Sequence, residues 1–341
     1  MSFYSEMMEQ PAAIQRLLDA FSTEEYQRET ACLMEMIERA KPAKFLFAGM
    51  GSSLYASYIS ASLLRRAGIQ AYALEARELT SFDTPVVDEH TILFAVSQSG
   101  NSMETVALCE RFKDFPGLAV ITNLKESNLY KYGQAKFHLE AGVEKHSATK
   151  SYTNTVLAIL YLSYLITGRD TEKLVEEARQ LVDTMQSLLD APNEPLADFW
   201  AGSTYTALIG SGVSYCTASH AALIMMEAAH VNAAHYTVGQ FIHGPIEIIN
   251  GEFCSILFDF EPAVREELDR VVDVTLKYGG RVLLFTQRRD IPAAERLMVV
   301  PINCKDGLLA PIAEILPIEK MALEIGQRAG LHPGDLYRVH K

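Results

Sequence analysis

Cysteine is sparse in this chain and never paired. Cys32, Cys109, Cys216, Cys254 and Cys304 are odd in number and scattered, with no Cys-x-x-Cys among them. Such a set reads as reduced core thiols of a cytoplasmic protein and excludes a disulfide-stapled secreted scaffold. Long apolar runs are also missing. The longest, VLAILYLSYLI at 156–166, is too short and too interrupted to span a bilayer, and is expected to be a buried helix. The opening MSFYSEMMEQ has neither a basic stretch nor an apolar core, so no signal peptide is read there. Positive charge is in deficit. Thirty Lys and Arg against 43 Asp and Glu give −13 over 341 residues, which excludes a general nucleic-acid binder. It does not exclude a small anion held at a local site. HExxH and similar ligand clusters are absent, so no metal is expected. GxxxxGK[ST] is absent and GMGSSLY lacks the third glycine of GxGxxG, so no nucleotide cofactor is expected either.

What the chain does have is strand–helix alternation. PAAIQRLLDAF and TACLMEMIERA carry apolar residues at helical spacing, which makes residues 1–40 a helical arm. KFLFAGMGSS (44–53), TILFAV (91–96) and GLAVIT (117–122) are short buried strands, and KFHLEAG (136–142) is a fourth strand-like run. YASYISASLLRRA and METVALCERFK fill the gaps as helices. This order implies a parallel sheet with helices on both faces. The second half repeats it. TALIGSGVS (206–214) resembles FLFAGMGSS, SILFDF (255–260) resembles TILFAV, and GGRVLLFT (279–286) resembles PGLAVIT. Gly51 and Gly212 stand 161 positions apart, while Thr91–Ser255 and Thr122–Thr286 each stand 164 apart. A near-constant offset at three places indicates a duplicated unit. The expected domains are an arm (1–40), a first α/β domain (41–170), a helical connector (171–195) ending near Pro192 and Pro195, and a second α/β domain (196–341).

Open parallel sheets bind ligands beyond the carboxyl ends of their strands. Two loops of the first domain occupy that position: Gly49-Met50-Gly51-Ser52-Ser53 and Ser97-Gln98-Ser99-Gly100-Asn101-Ser102. Each leads into a helix, whose first N–H groups favour an anion. The hydroxyls add neutral donors and glycine permits close approach. The loops therefore read as a phosphate cradle, better suited to a phosphate monoester than to ATP. Helix capping by the serines is the other reading. At the 164 offset Ser97 falls on Glu261 and Gln98 on Pro262, so the second domain has lost the serine loop.

The second domain must contribute something else, and IMMEAAHVNAAHYTVGQFIHGPIEII (224–249) is the candidate. Glu227 is a carboxylate in a helix of Ala, Leu, Ile and Met, which is costly to bury unless paired or working. Its other reading is an exposed position. His243 precedes Gly-Pro where the chain must turn, and could equally be bonded to nearby backbone. In Glu144–Ser151, Ser147 or Thr149 could cap the following helix, and Lys150 could face the substrate.

The motifs GMGSS, SQSGNSMET, EKHSATKS, LIMME and GQFIHGPIEI, in this order over roughly 44–330, resemble the SIS (sugar isomerase) family. Within it the likeness is to the isomerase half of glucosamine-6-phosphate synthase and to fructosamine-6-phosphate deglycases. The resemblance implies two tandem domains, each a five-stranded parallel sheet between helices. It implies phosphate binding by Ser52, Ser97, Ser99 and Ser102, with Gln98 and Ser53 nearby. It makes Glu227 the catalytic base and His243 the ring-opening residue, in a homodimer with shared active sites. Three departures matter. No glutaminase domain precedes the pair, and the chain opens Met-Ser rather than Met-Cys. Ile224 stands where the synthase has a lysine. Lys341, the last residue, does not clearly match the synthase's Schiff-base lysine. The expectation is a deglycase or a ketose/aldose-phosphate isomerase without cofactor. An amino-sugar-6-phosphate deaminase and a non-catalytic sugar-phosphate sensor are the alternatives, and the chain lacks the basic N-terminal domain that sensors often carry.

Overall fold

The structure, a computed structural model, describes residues 2–338, so Lys341 lies outside the described residues. Three helices come first: α1 (Phe3–Met8), α2 (Gln10–Ala20) and α3 (Glu24–Ala40). Then follow β1 (Lys44–Gly49), α4 (Gly51–Arg66), β2 (Ala71–Glu75), α5 (Ala76–Ser81), β3 (Thr91–Ser97), α6 (Met103–Arg111), β4 (Leu118–Thr122), β5 (Ala135–His138) and α7 (Lys150–Thr167). The helix α8 (Thr171–Asp190) and the short α9 (Glu194–Trp200) lead to a second series. It comprises β6 (Tyr205–Ile209), α10 (Ser214–Ala229), β7 (Ala233–Tyr236), α11 (Val238–Ile242), β8 (Phe253–Asp259), α12 (Arg265–Lys277), β9 (Arg281–Thr286), β10 (Leu297–Pro301) and α13 (Ala310–Arg328).

The chain divides into two compact units. The first holds Gln10–Glu144 and Lys150–Arg179; the second holds residues 2–9, Lys145–Thr149 and residues 180–338. Each contains one five-stranded parallel sheet. The orders are β2-β1-β3-β4-β5 and β10-β9-β8-β6-β7, which are the same arrangement when the strands are numbered within each unit. The duplication read from the sequence is therefore a duplication of topology.

In the first unit, side chains alternate across the sheet. Leu46, Ala48, Leu93, Ala95, Leu118 and Val120 meet Ala76, Leu79 and Leu108 of α5 and α6. The opposite parity buries Phe45, Phe47, Ile92 and Phe94, with the Phe47 and Phe94 rings stacked at 4.7 Å. Both faces are covered, so the central strands read as unbroken apolar runs. The edge strands β2, β7 and β10 are largely half-buried, and the sequence reading passed over them. On one side α4 packs on α7, a helix buried from Lys150 to Tyr164. Between them Ser60 Oγ donates to Ser163 Oγ at 2.7 Å, and Ser163 in turn donates to the Ile159 carbonyl at 2.7 Å.

The second unit repeats the scheme. Ala207, Ile209, Leu257, Val282 and Leu284 pack with Phe241, Leu268 and Val271 of α11 and α12. α10 packs along α13. Buried Lys320 of α13 donates to the carbonyls of Leu188, Leu189 and Ala191, which terminate α8. Its ammonium is thereby committed to a helix end. α8 ends at Asp190, just before Pro192, and Pro195 lies in the first turn of α9, where a missing N–H costs nothing. No helix among the described residues is long and apolar enough to cross a membrane.

Candidate functional site

β1 pairs with β2 on one side and β3 on the other, all parallel, so strand order reverses between β1 and β3. Crevices that take ligands open at such reversals. The two serine loops leave β1 and β3 at this point. They approach so closely that a Cβ on Gly49 would stand 2.9 Å from the Val96 carbonyl oxygen and 3.0 Å from Ser53 Cβ. Gly51 turns the chain into α4 with φ +50°, a conformation glycine adopts without cost.

The serines are not spent on capping. Met50, the residue before α4, makes no side-chain cap bond, and Ser102 at the same position of α6 makes none either. Ser102 Oγ instead lies 3.3 Å from Ser97 Oγ. Ser97 accepts the Gly100 N–H at 3.2 Å, and Ser99 accepts the Asn101 N–H at 3.2 Å. Ser52, Gln98, Ser99 and Ser102 are half-buried, whereas Ser53 and Ser97 are nearly buried. The loop is anchored from behind. The Gln98 carbonyl accepts from Asn123 N–H at 3.1 Å and from Thr122 Oγ1 at 3.4 Å.

Gly100 has φ +61°, and a Cβ there would collide with Ser127 Oγ and stand 2.7 Å from Thr122 Oγ1. Gly100→Ala is expected to cost about 2–4 kcal/mol in denaturant unfolding, the sum of left-handed strain and overpacking. An unchanged unfolding midpoint would show that the loop can yield.

The other predicted residues fall elsewhere. Ser147 is wholly buried in the second unit. Its hydroxyl donates to the Gly334 carbonyl at 3.4 Å and its N–H to the same oxygen at 3.1 Å, so this hydroxyl is engaged by the chain itself. The neighbouring His146 sits between two carboxylates, with Nδ1 3.0 Å from buried Glu6 and Nε2 3.5 Å from Asp335. Lys150 is fully buried as the first residue of α7. The start of that helix is met by Glu144, which accepts from Ser151 N–H at 3.2 Å and from Ser151 Oγ. An acid at a helix N-terminus suits the helix dipole.

In the second unit Glu227 stands in the last turn of α10, half-buried between fully buried Ile224 and Ala228 and exposed Met226 and His230. It is neither the sealed carboxylate nor the open surface position between which the sequence left the choice. His243 closes α11 and is exposed, followed by Gly244 with φ +140°. The two residues belong to one unit, on consecutive helices joined through β7.

Three residues escaped the sequence reading. Asn123, just after β4, accepts the Ala141 N–H at 2.9 Å and donates to the Gly142 carbonyl at 2.7 Å, tying the loop after β5 to the end of β4. Glu314 of α13 is completely buried. It accepts from Ser214 Oγ at 2.7 Å and from Thr217 Oγ1. Burial, with a smaller push from Glu261, raises its carboxyl to about 7. Glu261, noted only as a lost serine, accepts the Val213 N–H at 3.1 Å. For Glu314 a signal existed: it is an acid amid APIAEILPI, the criterion that drew notice to Glu227.

All five cysteines are free thiols, and burial pushes Cys109 and Cys254 up to about 12, which leaves them unreactive. Among the described residues no group of three or more His, Cys, Asp or Glu is placed to hold a metal ion.

A doubly wound sheet with serine loops at its reversal point falls in a defined class. Residues 36–167 match the family described as the SIS domain. Glutamine–fructose-6-phosphate aminotransferase of Symbiobacterium thermophilum is 27% identical over 82% of this chain and 48% of its own length. The chain spans about half the length of the curated relatives it matches. Among solved structures, the C-terminal domain of glucosamine-fructose-6-phosphate aminotransferase from Francisella tularensis aligns over 98% of this chain and 97% of its own, with TM-score 0.86 and 20% identity. Tagatose-6-phosphate ketose/aldose isomerase from Escherichia coli aligns over 99% and 97%, with TM-score 0.82 and 20% identity. These two structures share the fold with this chain.

Proposed function

We propose that the chain is a sugar-phosphate enzyme. It takes a sugar or amino-sugar 6-phosphate, opens the ring and moves a proton between neighbouring carbons. The observation that carries this reading is the Ser97–Ser102 loop, whose hydroxyls gather at the strand-order reversal without capping a helix. Backbone N–H groups and neutral hydroxyls at that point suit a phosphate monoester. The SIS domain match over 36–167 and the names of the relatives support the same class.

In this reading Ser52, Ser97, Ser99 and Ser102 hold the 6-phosphate, with Gly51, Ser53 and Gln98 shaping the loops. Fixing the phosphate positions the sugar carbons and lowers the entropic cost of reaction. His243 moves the proton that opens the ring. Glu227 then takes a proton from the carbon beside the carbonyl or imine and returns it to the neighbouring carbon, through an enediol or enolamine. For a ketosamine phosphate, the proton leaves C1 and arrives at C2. This yields an imine at C1 that water splits into an aldose phosphate and a free amine. For a ketose phosphate the same shuttle gives the aldose. The enzyme works as a cytoplasmic homodimer with shared active sites and needs no cofactor.

The test is turnover by the purified chain on ketosamine, amino-sugar and ketose 6-phosphates, following hexose 6-phosphate, free amine and ammonia. An amine released from a ketosamine phosphate identifies a deglycase. Ammonia from an amino-sugar phosphate identifies a deaminase, and aldose from ketose an isomerase. Thermal stabilisation by these compounds without turnover of any would overturn the enzyme reading in favour of a sensor.

A further inference from the structure

The second sheet has its own reversal point, between β6 and β8, and the chain keeps the turn geometry of the cradle there. Gly212 has φ +58° where Gly51 has +50°. A Cβ on Gly210 would strike the Ser214 backbone, as one on Gly49 would press on Ser53 and Leu54. The backbone is therefore shaped for an anion, and α10, a helix of 16 residues, starts at it. The donors, however, are already taken. At the sequence offsets 161 and 164, Val213 corresponds to Ser52 and Glu261 to Ser97. The Glu261 carboxylate accepts the Val213 N–H at 3.1 Å. The hydroxyls of Ser214, the first residue of α10, and of Thr217, one turn on, donate to Glu314.

We propose that Glu261 is a tethered anion that fills the second unit's copy of the phosphate cradle, so that each chain accepts one phosphate rather than two. A carboxylate carried on the loop after β8 supplies in place what a diffusing phosphate supplies in the first unit. It satisfies an otherwise open N–H at a helix start and complements the dipole there. Being covalently attached, it gives up no translational freedom, so free phosphate cannot compete at millimolar concentration. The duplication thus ended with one half binding and the other half self-occupied, which left the second unit free to carry other chemistry. The comparison with the first unit rests on the cradle reading above, and the experiment separates the two.

Backbone amides of the wild-type chain are followed by NMR during titration with inorganic phosphate at pH 6. The expected result is a saturable shift at Ser52 and none at Val213. A silent Ser52 would defeat the cradle reading alone. A saturable phosphate shift at Val213 in the wild-type chain would overturn the role given to Glu261. In Glu261→Ser, checked for fold by circular dichroism, phosphate is expected to shift Val213 and the stoichiometry to rise from one to two. A folded variant in which Val213 stays silent would also overturn the proposal. Should that variant not fold, the wild-type amide of Val213 must follow the titration of the Glu261 carboxyl carbon. An amide that ignores that titration would sink the assignment without any variant.

Discussion

The Glu227→Gln variant is expected to bind sugar phosphate as the parent chain does and to turn it over about 10²- to 10⁴-fold more slowly, the range of a lost general base. Glutamine keeps the shape of the side chain, and position 227 is half-buried between Ile224 and Ala228, so the packing of α10 should not change. What is lost is a group able to take a proton at neutral pH. The serines proposed to hold the phosphate lie in the other unit and are untouched, so KM should move little while kcat falls. This split separates a proton-transfer role from a binding role. Full activity in the variant would remove Glu227 from the chemistry. An equal loss in His243→Ala when ring-opened substrate is supplied would remove ring opening from His243.

The second large effect concerns stability. Glu314 is raised from its ordinary 4.5 to about 7 because it is buried, and Ser214 and Thr217 offset this only in part. Below 4.5 it is protonated in the folded and unfolded chain alike. Between 4.5 and about 7 the unfolded chain releases the proton and the folded one keeps it, so stability falls as pH rises through this window. The slope is about 1.4 kcal/mol per pH unit and the total about 3 kcal/mol. Glu314→Gln mimics the protonated acid and cannot ionise. Its stability relative to the parent chain should therefore grow by about 3 kcal/mol from acid to slightly alkaline pH, read from urea unfolding across that range. Parallel stability curves for the two proteins would mean that Glu314 ionises as easily folded as unfolded.

The sequence revealed most where burial is one-sided in its demands. The strands β1, β3, β4, β6, β8 and β9 are covered on both faces and appear as apolar runs. The edge strands β2 and β7 keep one side partly wet and mix polar with apolar residues, so they pass for loop, whereas β10, LMVVP, is apolar and went unread although it is only half-buried. The cradle loops were readable because the need for close approach leaves glycine and small hydroxyl residues in one stretch. Glu261 was not readable in the same way. A glutamate after a strand looks like any solvated acid until the orientation of a helix start is known. For Ser147 the hidden part is the partner: a serine in a polar loop looks available, and the Gly334 carbonyl that accepts from it is 187 positions away.

The hydroxyl pair between α4 and α7 bears on motion. Sliding α4 by one turn along α7 would part Ser60 from Ser163 and strand a hydroxyl in an apolar layer, at a cost of about 1–3 kcal/mol. The pair therefore weighs against a change of register by the helix that begins at the first serine loop. On the proposed reading, a phosphate arriving there would find its donors already arranged, so little of its binding energy would go into ordering them. Any adjustment to sugars of different stereochemistry must fall to segments that carry no such lock.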